Sequence, residues 1–232
     1  MIYLNGFILF MVAYLIGAIP TGLILTKLFL KQDVRQIGSG STGATNVLRT
    51  GSKLLALLTL IIDACKPYFA LLAFYYMMEI LFGSIITYSS FALYGVYIKM
   101  LVAGITIFAH CYPVYLKFKG GKGVATAFGT LFLFSKEVEI FDIDIYILPI
   151  CAILTWLTVA FISKKSSLSA LTTALILPIY VYFLSDYSGD RRFHLTYFYI
   201  GIVLFVIFRH ISNIKRLING TESNIKLSKE TK

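Results

Sequence analysis

Residues 54–80 read LLALLTLIIDACKPYFALLAFYYMMEI, an apolar run that only a few charged side chains interrupt. A helix needs about 20 such residues to cross a hydrocarbon core about 30 Å thick. Similar runs recur along the 232-residue chain, which is 58% hydrophobic and 14% charged and has a mean hydropathy of +0.82. Soluble domains are about 25% charged. The composition predicts an all-α integral membrane protein with one domain, residues 1–232.

The apolar runs predict seven transmembrane helices. They are expected near residues 2–25, 54–80, 100–117, 123–135, 145–163, 167–184 and 193–210. Residues 83–97 are too few to cross alone, so we expect an outer hairpin, an interfacial helix or an extension of a neighbouring helix there. Gly17, Pro20 and Gly22 predict a kink or close packing in the first helix, which we interpret as an uncleaved span.

The basic residues predict the orientation of the chain, because Lys and Arg concentrate in cytoplasmic loops. Most of them lie in segments 26–53, 117–123, 164–166 and 211–232. These segments are therefore expected inside, with the N-terminus outside and the C-terminus in the cytoplasm. The loops also account for the formal net charge of +10. No nucleic-acid partner is expected, since the basic residues form no basic helix or folded module.

The first inner loop contains the glycine-rich stretch GSGSTGATNVLR, residues 38–49. Glycines allow successive backbone N–H groups to face an oxyanion, and small hydroxyl and amide side chains add donors. A flexible connector would explain the glycines but neither the hydroxyls nor the arginine. The stretch also satisfies the G-x-G-x-x-G pattern of dinucleotide-binding proteins. No strand precedes the loop, however, so we do not expect a dinucleotide site. The residues predicted to bind phosphate are Gly38, Ser39, Gly40, Thr42, Gly43, Thr45 and Asn46.

The second inner loop alternates lysine and glycine in KFKGGKG, residues 117–123. Its glycines allow backbone and ammonium groups to approach a phosphate, and the helix expected after it favours an anion at its N-terminus. A positive-inside anchor would explain the lysines but not the glycines. The loop is not a Walker A motif, because Gly123 follows Lys122. Lys119, Gly120, Gly121, Lys122 and Gly123 are the predicted phosphate-binding residues.

A third polar group follows the last span, where His210, Asn213 and Arg216 share one helical face. The predicted topology places all three groups on the same side of the membrane. Within the second span, Asp63 and Lys66 are three residues apart. Ionisable residues in a bilayer are paired or functional, so this pair is either an ion pair that fixes helix packing or part of a substrate site.

In this order the motifs resemble the bacterial acyl-phosphate:glycerol-3-phosphate acyltransferase family, often called PlsY. The resemblance implies a seven-helix inner-membrane enzyme with its active site on the cytoplasmic face. It also implies transfer of a fatty acyl group from acyl phosphate to the 1-hydroxyl of glycerol 3-phosphate, the first acylation of phospholipid synthesis, with release of phosphate and lysophosphatidic acid. No metal, cofactor or CoA is implied. By motif position the catalytic residues are Ser39, Arg49, Lys122, His210 and Asn213.

The partners implied by the resemblance are acyl phosphate, glycerol 3-phosphate, membrane lipid and the enzyme that supplies acyl phosphate. Arg49 and Lys122 are expected to neutralise phosphate charge, while His210 and Asn213 position the substrate. Acyl phosphate is already activated, so no protein nucleophile is required. The proton acceptor is His210 or a substrate phosphate oxygen, and the phosphate oxygen is our hypothesis.

The sequence departs from the family pattern without losing a charged residue of these motifs. Ser41 and Thr42 stand where Asn and an apolar residue or Pro are usual, Ala18 replaces Ser, and Pro67 replaces Gly. The stretch from residue 63 to residue 110 also looks longer than is usual in the family.

Other functional classes fit the sequence less well. A transporter for a phosphorylated metabolite would place its polar residues at the midplane, usually in repeated halves. A CDP-alcohol phosphotransferase would need a cluster of aspartates, and the inner loops hold only Asp33. A lipid-binding scaffold would leave the three motifs unexplained.

Overall fold

The computed structural model describes residues 2–134, 147–185 and 188–225. Within these ranges the chain forms helices and turns, and no residue lies in a β-strand. Lipid offers no water to backbone N–H and C=O groups, so an apolar chain forms helices that satisfy these groups internally. The all-α prediction is confirmed for the described residues. The chain divides into two compact units, Met1–Leu133 (unit 1) and Phe134–Lys232 (unit 2).

Unit 1 begins with a helix broken at Pro20. Proline has no N–H with which to continue the helical ladder. The chain therefore bends by 42° between the two halves. The predicted kink is confirmed, and the predicted span 2–25 consists of two helices that together form one candidate span. The described helices of unit 1 are α1 (Ile2–Ala18), α2 (Thr21–Leu30), α3 (Ala44–Leu48), α4 (Lys53–Phe82), α5 (Ser84–Cys111) and α6 (Val124–Leu133).

Helices α4 and α5 are separated by a single residue, Gly83, whose φ of 82° suits glycine. Helix α5 has 28 residues and is about 42 Å long at 1.5 Å per residue. Residues 83–97 therefore belong to an extension of the neighbouring span, one of the three alternatives. The candidate span that matches the predicted span 100–117 covers Leu93–Leu116, and it therefore begins earlier. The helix stops at Cys111 because Pro113 disfavours a helical conformation at Tyr112.

Two buried clusters hold unit 1 together. The first joins α1, α4 and α5, where Gly17 allows close contact: an added Cβ would lie 2.7 Å from the Thr106 carbonyl oxygen. The second cluster joins α2, α4 and the segments that carry the two glycine-rich motifs, and it includes Val34, Val47 and Leu116. The first cluster consists of Leu9, Ala13, Ala70, Phe74, Met78 and Val102.

The described helices of unit 2 are α7 (Ile147–Ser163), α8 (Ser166–Leu184), α9 (Gly189–Arg209) and α10 (Ile211–Ile218). Helix α8 packs against both α7 and α9. The predicted span 193–210 begins earlier, at Gly189. The predicted boundaries at 135 and 145 and the end of the tail, 226–232, lie outside the described residues.

Large apolar side chains cover the outside of the helices. Ile85 and Phe161 are 83% and 86% exposed, as expected of side chains that face lipid rather than water. Helices α4, α5, α8 and α9 are long and apolar enough to cross a membrane, and α1 with α2 forms a bent fifth candidate. Helices α6 and α7 are apolar but shorter. This is the architecture of a multi-pass membrane protein.

Candidate functional site

The first glycine loop, residues 38–49, is organised around the side chain of Asn46, which is only 3% exposed. Its amide nitrogen has two N–H groups, which are shared among the carbonyl oxygens of Val34, Ile37 and Ser41 at 2.8, 2.9 and 2.8 Å. Its amide oxygen accepts from the Ser39 N–H at 3.1 Å. Every polar atom of this side chain thus bonds to loop backbone. Asn46 shapes the predicted phosphate-binding loop from within.

Two glycines of this loop have backbone conformations that other residues rarely adopt. Gly38 and Gly40 have φ values of 55° and 69°. A Cβ at Gly38 would also overlap the guanidinium of Arg49 and lie 2.7 Å from Asn46 Oδ1. Gly43 has φ −80°. The atom nearest to a Cβ added at Gly43 would be Ser41 Oγ, at 3.8 Å. The first two glycines are therefore required by the fold, and the third is not.

The polar side chains of the loop separate into two sets. Ser39, Thr45 and Arg49 are exposed, whereas Thr42 and Asn46 are buried. The exposed set combines two hydroxyls with a guanidinium, which are donors that suit a phosphate.

An ion pair closes the start of the loop. The Asp33 carboxylate accepts a hydrogen bond from the Arg35 backbone N–H. It also forms a bidentate pair with the Arg35 guanidinium, accepting from Nε at 2.9 Å and from Nη2 at 2.6 Å. The hydrogen bond from the Arg35 side chain is the main cause that lowers the pKa of Asp33 to about 2. The charge of Asp33 is thereby neutralised by its neighbour Arg35.

The glycines of the second glycine loop, residues 117–123, are required by close packing. A Cβ at Gly120 would overlap the His110 carbonyl oxygen and Pro113, and one at Gly121 would overlap His110 Nε2. Gly123 has φ 79° and lies against Cys111. The chain returns tightly on the end of α5, with the Gly121 N–H donating to the His110 carbonyl at 3.1 Å.

This turn also contains strained backbone. Lys117 and Phe118 have φ values of 51° and 62°, and neither is a glycine. Such conformations cost about 1–3 kcal/mol each and persist where surrounding contacts hold them. Here the Phe118 N–H donates to the Pro113 carbonyl at 3.0 Å. The turn leaves Lys119 exposed and Lys122 half-buried at the start of α6.

Unit 1 therefore brings the two glycine loops onto one buried base. Leu116 of the second loop belongs to the same cluster as Val34 and Val47, which flank the first loop. The predicted phosphate residues from 38 to 49 and from 119 to 123 are all within this unit.

In unit 2, His210 and Asn213 are both buried, at 2% and 3% exposed. His210 lies between α9 and α10, with Nδ1 2.8 Å from the Val206 carbonyl oxygen. A carbonyl oxygen only accepts, so Nδ1 carries a proton and donates to it. The Asn213 amide donates to Glu222 Oε1 at 2.7 Å.

Glu222 is the buried centre of the C-terminal segment. Its carboxylate accepts from Ser167 Oγ at 2.7 Å, Asn213 Nδ2 at 2.7 Å and Arg216 Nε at 2.6 Å. Burial by itself raises the pKa of Glu222, but these three hydrogen bonds and the charge of Arg216 outweigh it and lower the pKa below its usual value. The carboxylate is thus ionised and fixes Asn213.

The backbone after α10 packs on the turn between α7 and α8. Lys165 Nζ donates to the Glu222 carbonyl at 2.6 Å, and the Ile225 N–H donates to the Lys164 carbonyl at 2.8 Å. Two segments that the sequence placed on the same membrane side, 164–166 and the tail, thus lie at one end of unit 2.

Sequence reasoning missed two residues of these sites. His110, which precedes the second glycine loop, and Glu222, which follows the third polar group, were given no role. An acid directly after Gly220-Thr221 in an otherwise basic tail was the available signal. Among the described residues there is no cluster of His, Cys, Asp and Glu that suits a metal ion.

Comparison with known proteins covers almost the whole chain. The family model described as glycerol-3-phosphate acyltransferase matches residues 7–220. A glycerol-3-phosphate acyltransferase of Bordetella pertussis is 41% identical over 223 residues, 96% of this chain and 93% of its own. One of Pelagibacter ubique is 39% identical over 216 residues, 93% of this chain and 95% of its own.

Two crystal structures of PlsY (YgiH), described as an integral membrane glycerol 3-phosphate acyltransferase, have a fold similar to that of this chain. Its glycerol 3-phosphate form matches with a TM-score of 0.73 and 28% identity over 95% of both chains. Its lysophosphatidic acid form matches with a TM-score of 0.71 and 27% identity over 94% of both chains.

Proposed function

Because the chain belongs to the glycerol-3-phosphate acyltransferase family, and is a membrane enzyme of that family, we propose that its acyl donor is acyl phosphate. The acyl group passes to the 1-hydroxyl of glycerol 3-phosphate, giving lysophosphatidic acid and phosphate. The match over residues 7–220, which includes all three polar motifs, carries this proposal. The solved relative's glycerol 3-phosphate and lysophosphatidic acid forms support the acceptor and the product.

The roles of the unit 1 residues follow from charge and exposure. Both substrates carry phosphate, and the loops offer exposed Arg49 and half-buried Lys122 as cations. Arg49 can bind two phosphate oxygens at once, whereas Lys122 acts as a point charge. Ser39 and Thr45, with the backbone of Gly38, Gly40 and Gly43, add hydrogen bonds, and Asn46 keeps the loop in shape. In the second loop, Lys119 adds a further cation, while Gly120, Gly121 and Gly123 set the approach of the backbone.

The transfer itself needs little covalent help from the protein. The 1-hydroxyl oxygen attacks the acyl carbonyl carbon, the bond from that carbon to the phosphate oxygen breaks, and phosphate leaves. The hydroxyl proton passes to a phosphate oxygen of the substrate. Asn213 and His210 position the substrate, with His210 Nε2 as the alternative acceptor. Substantial activity in a His210→Gln variant supports the phosphate oxygen as acceptor, and complete loss in a folded variant contradicts it.

The donor is tested with purified protein in lipid. We expect phosphate release from palmitoyl phosphate only when glycerol 3-phosphate is present, and no acylation from palmitoyl-CoA. Mass spectrometry of the product, with fragmentation, should place the acyl chain at position 1. Acylation from palmitoyl-CoA alone would contradict the proposed donor while leaving the family assignment intact.

We also propose seven spans in the bacterial inner membrane, with the N-terminus outside and the loops of the site in the cytoplasm. The α4–α5 corner is then outside and the C-terminal segment inside. Cysteines introduced in a cysteine-free chain test this: Ser84→Cys should react with a membrane-impermeant maleimide on intact spheroplasts, and Ser223→Cys only after permeabilisation. The reverse pattern would invert the topology. The enzyme that supplies acyl phosphate is the proposed protein partner on the inner face.

A further inference from the structure

A buried ionisable cluster lies at the centre of unit 1. Asp63, Lys66 and His110 are 1%, 3% and 6% exposed. The Lys66 ammonium lies 2.6 Å from Asp63 Oδ1, 2.6 Å from the Ile19 carbonyl oxygen and 3.3 Å from His110 Nδ1. The contact with Asp63 is an ion pair, and the Ile19 carbonyl oxygen and His110 Nδ1 are hydrogen-bond acceptors of the ammonium. The ion pair is thus present, and Lys66 bonds beyond it in two directions.

One direction leads to the first glycine loop. Ile19 lies in the break between α1 and α2, where Pro20 interrupts the helical ladder and a backbone carbonyl inside a membrane needs a donor. Helix α2 then runs so close to the loop that a Cβ at Gly22 would overlap the Thr42 carbonyl oxygen. Lys66 therefore fixes the break from which α2 and the first loop are placed.

The other direction leads to the second glycine loop. Because Lys66 donates to His110 Nδ1, the neutral imidazole carries its proton on Nε2. That nitrogen is the atom which a Cβ at Gly121 would overlap. The ring therefore lies directly against the backbone that leads into Lys122, and its orientation sets the position of that turn.

Stability alone is a weak reason for such a cluster. Buried ion pairs are often replaced by apolar side chains at little or no loss of stability, and ionisable residues within a bilayer are costly. We propose that the Asp63–Lys66–His110 cluster positions the two glycine loops relative to each other, so that Arg49 and Lys122 bind the same substrate phosphate. The part of this inference that concerns substrate rests on the proposed function, and the part that concerns loop geometry does not.

The test uses the double variant Asp63→Asn with Lys66→Met, which leaves no unpaired charge in the membrane. Its matched control is Lys99→Met, which removes a lysine of α5 outside the cluster. Both are compared with the parent protein in lipid nanodiscs by melting temperature, by steady-state kinetics of phosphate release, and by amide hydrogen exchange of residues 38–46 and 119–124.

Because the Ile19 carbonyl loses its donor, we expect the double variant to melt below the parent temperature but to remain folded. Its KM for glycerol 3-phosphate should rise at least about tenfold, because small displacements of binding groups cost one to two orders of magnitude, and both loops should exchange faster. The control should change neither. A lower kcat at unchanged KM, with unchanged loop exchange, would show a packing role only and would overturn the proposal.

Two further measurements test the positioning role if the parent protein is inactive or the double variant does not fold. If the parent protein shows no acyl transfer, the proposed function fails, and the exchange of the two loops alone decides the positioning role. If the double variant does not fold, His110→Asn replaces it, since it retains an acceptor near Nδ1 and removes the ring from Gly121. Faster exchange in residues 119–124 then supports the proposal, and unchanged exchange contradicts it.

Discussion

Asn46 in unit 1 and Glu222 in unit 2 perform the same structural task with opposite chemistry. Each is a buried polar side chain that organises a segment outside the long helices. Asn46 is neutral, and it both donates to loop carbonyls and accepts from Ser39. Glu222 is charged, and it only accepts, collecting donors from Ser167, Asn213 and Arg216.

The difference follows from what each side chain holds. A loop offers mainly backbone carbonyl oxygens, which need a donor, so an amide suits it. The C-terminal segment is held by side chains that all donate, so a carboxylate suits it and its charge strengthens each bond. One site should therefore be insensitive to pH, whereas the other should respond to acid.

The largest effect is expected from Glu222→Ala. The change removes the buried acceptor of three donors and should lower the free energy of unfolding by about 3 kcal/mol. Thermal unfolding in detergent would show a clear fall in melting temperature. Glu79→Ala is the matched control, because Glu79 is an exposed acid bonded only to Ser84 among the contacts described, and it should change stability by at most about 0.5 kcal/mol. Equal melting temperatures for the two variants would contradict the role of Glu222.

A somewhat smaller loss, about 2 kcal/mol, is expected from Asn46→Asp. The new carboxylate would face the carbonyl oxygens of Val34, Ile37 and Ser41 with no N–H to donate. The KM for glycerol 3-phosphate should rise more than in Asn46→Ala, which loses the bonds but adds no repulsion. An Asp variant that matches the Ala variant in both KM and melting temperature would show that the donor role of Asn46 is unimportant.

The contributions of Glu222 and Asn46 to stability should respond differently to a fall in pH. The pKa of folded Glu222 is lowered, so its stabilisation is present above the pKa of the unfolded chain, about 4.3, and is lost as the pH falls through the folded value. The melting-temperature difference between the parent and Glu222→Gln should stay constant from pH 7 to about pH 5 and shrink as the pH falls below about 4.3 towards pH 3. The difference between the parent and Asn46→Ala should stay constant over this range. A constant Glu222 difference would contradict the charged role.

The smallest effects concern the glycines around Asn46. Gly38→Ala should cost about 1–2 kcal/mol, because its φ is 55° and the methyl group would overlap Arg49. Gly43→Ala should cost at most about 0.5 kcal/mol, since its φ is −80° and it has space. Melting temperatures of the two variants in the same detergent test this order, and the reverse order would show that the loop is adaptable.

Much of the fold was readable from the sequence, because apolar runs and prolines impose their structure locally. The helical class and the break at Pro20 followed from lipid's demand for internal hydrogen bonds and from proline's missing N–H. The start of α5 at Ser84 could not be predicted in this way. Hydropathy measures the length of apolar segments and not whether two of them join in one helix.

The site was readable only as a set of residue types. The pattern around Gly120 and Gly121 indicated phosphate access, but the structure gives both glycines a packing reason against His110. Long-range pairs such as Ser167 with Glu222 cannot be found from spacing, because the partners are 55 residues apart. The predicted roles of Ser39, Arg49 and Lys122 agree with their exposure and stay predictions.

Steady-state phosphate release by Arg49→Ala and Arg35→Ala is the most direct test of the proposed chemistry. Both arginines belong to the first loop, but Arg35 is paired with Asp33. With palmitoyl phosphate and glycerol 3-phosphate, we predict that Arg49→Ala loses at least about two orders of magnitude in kcat/KM, as for a lost charge-stabilising contact, whereas Arg35→Ala keeps most of its activity. Full activity in a folded Arg49→Ala variant would contradict the assignment of the first loop as the phosphate site.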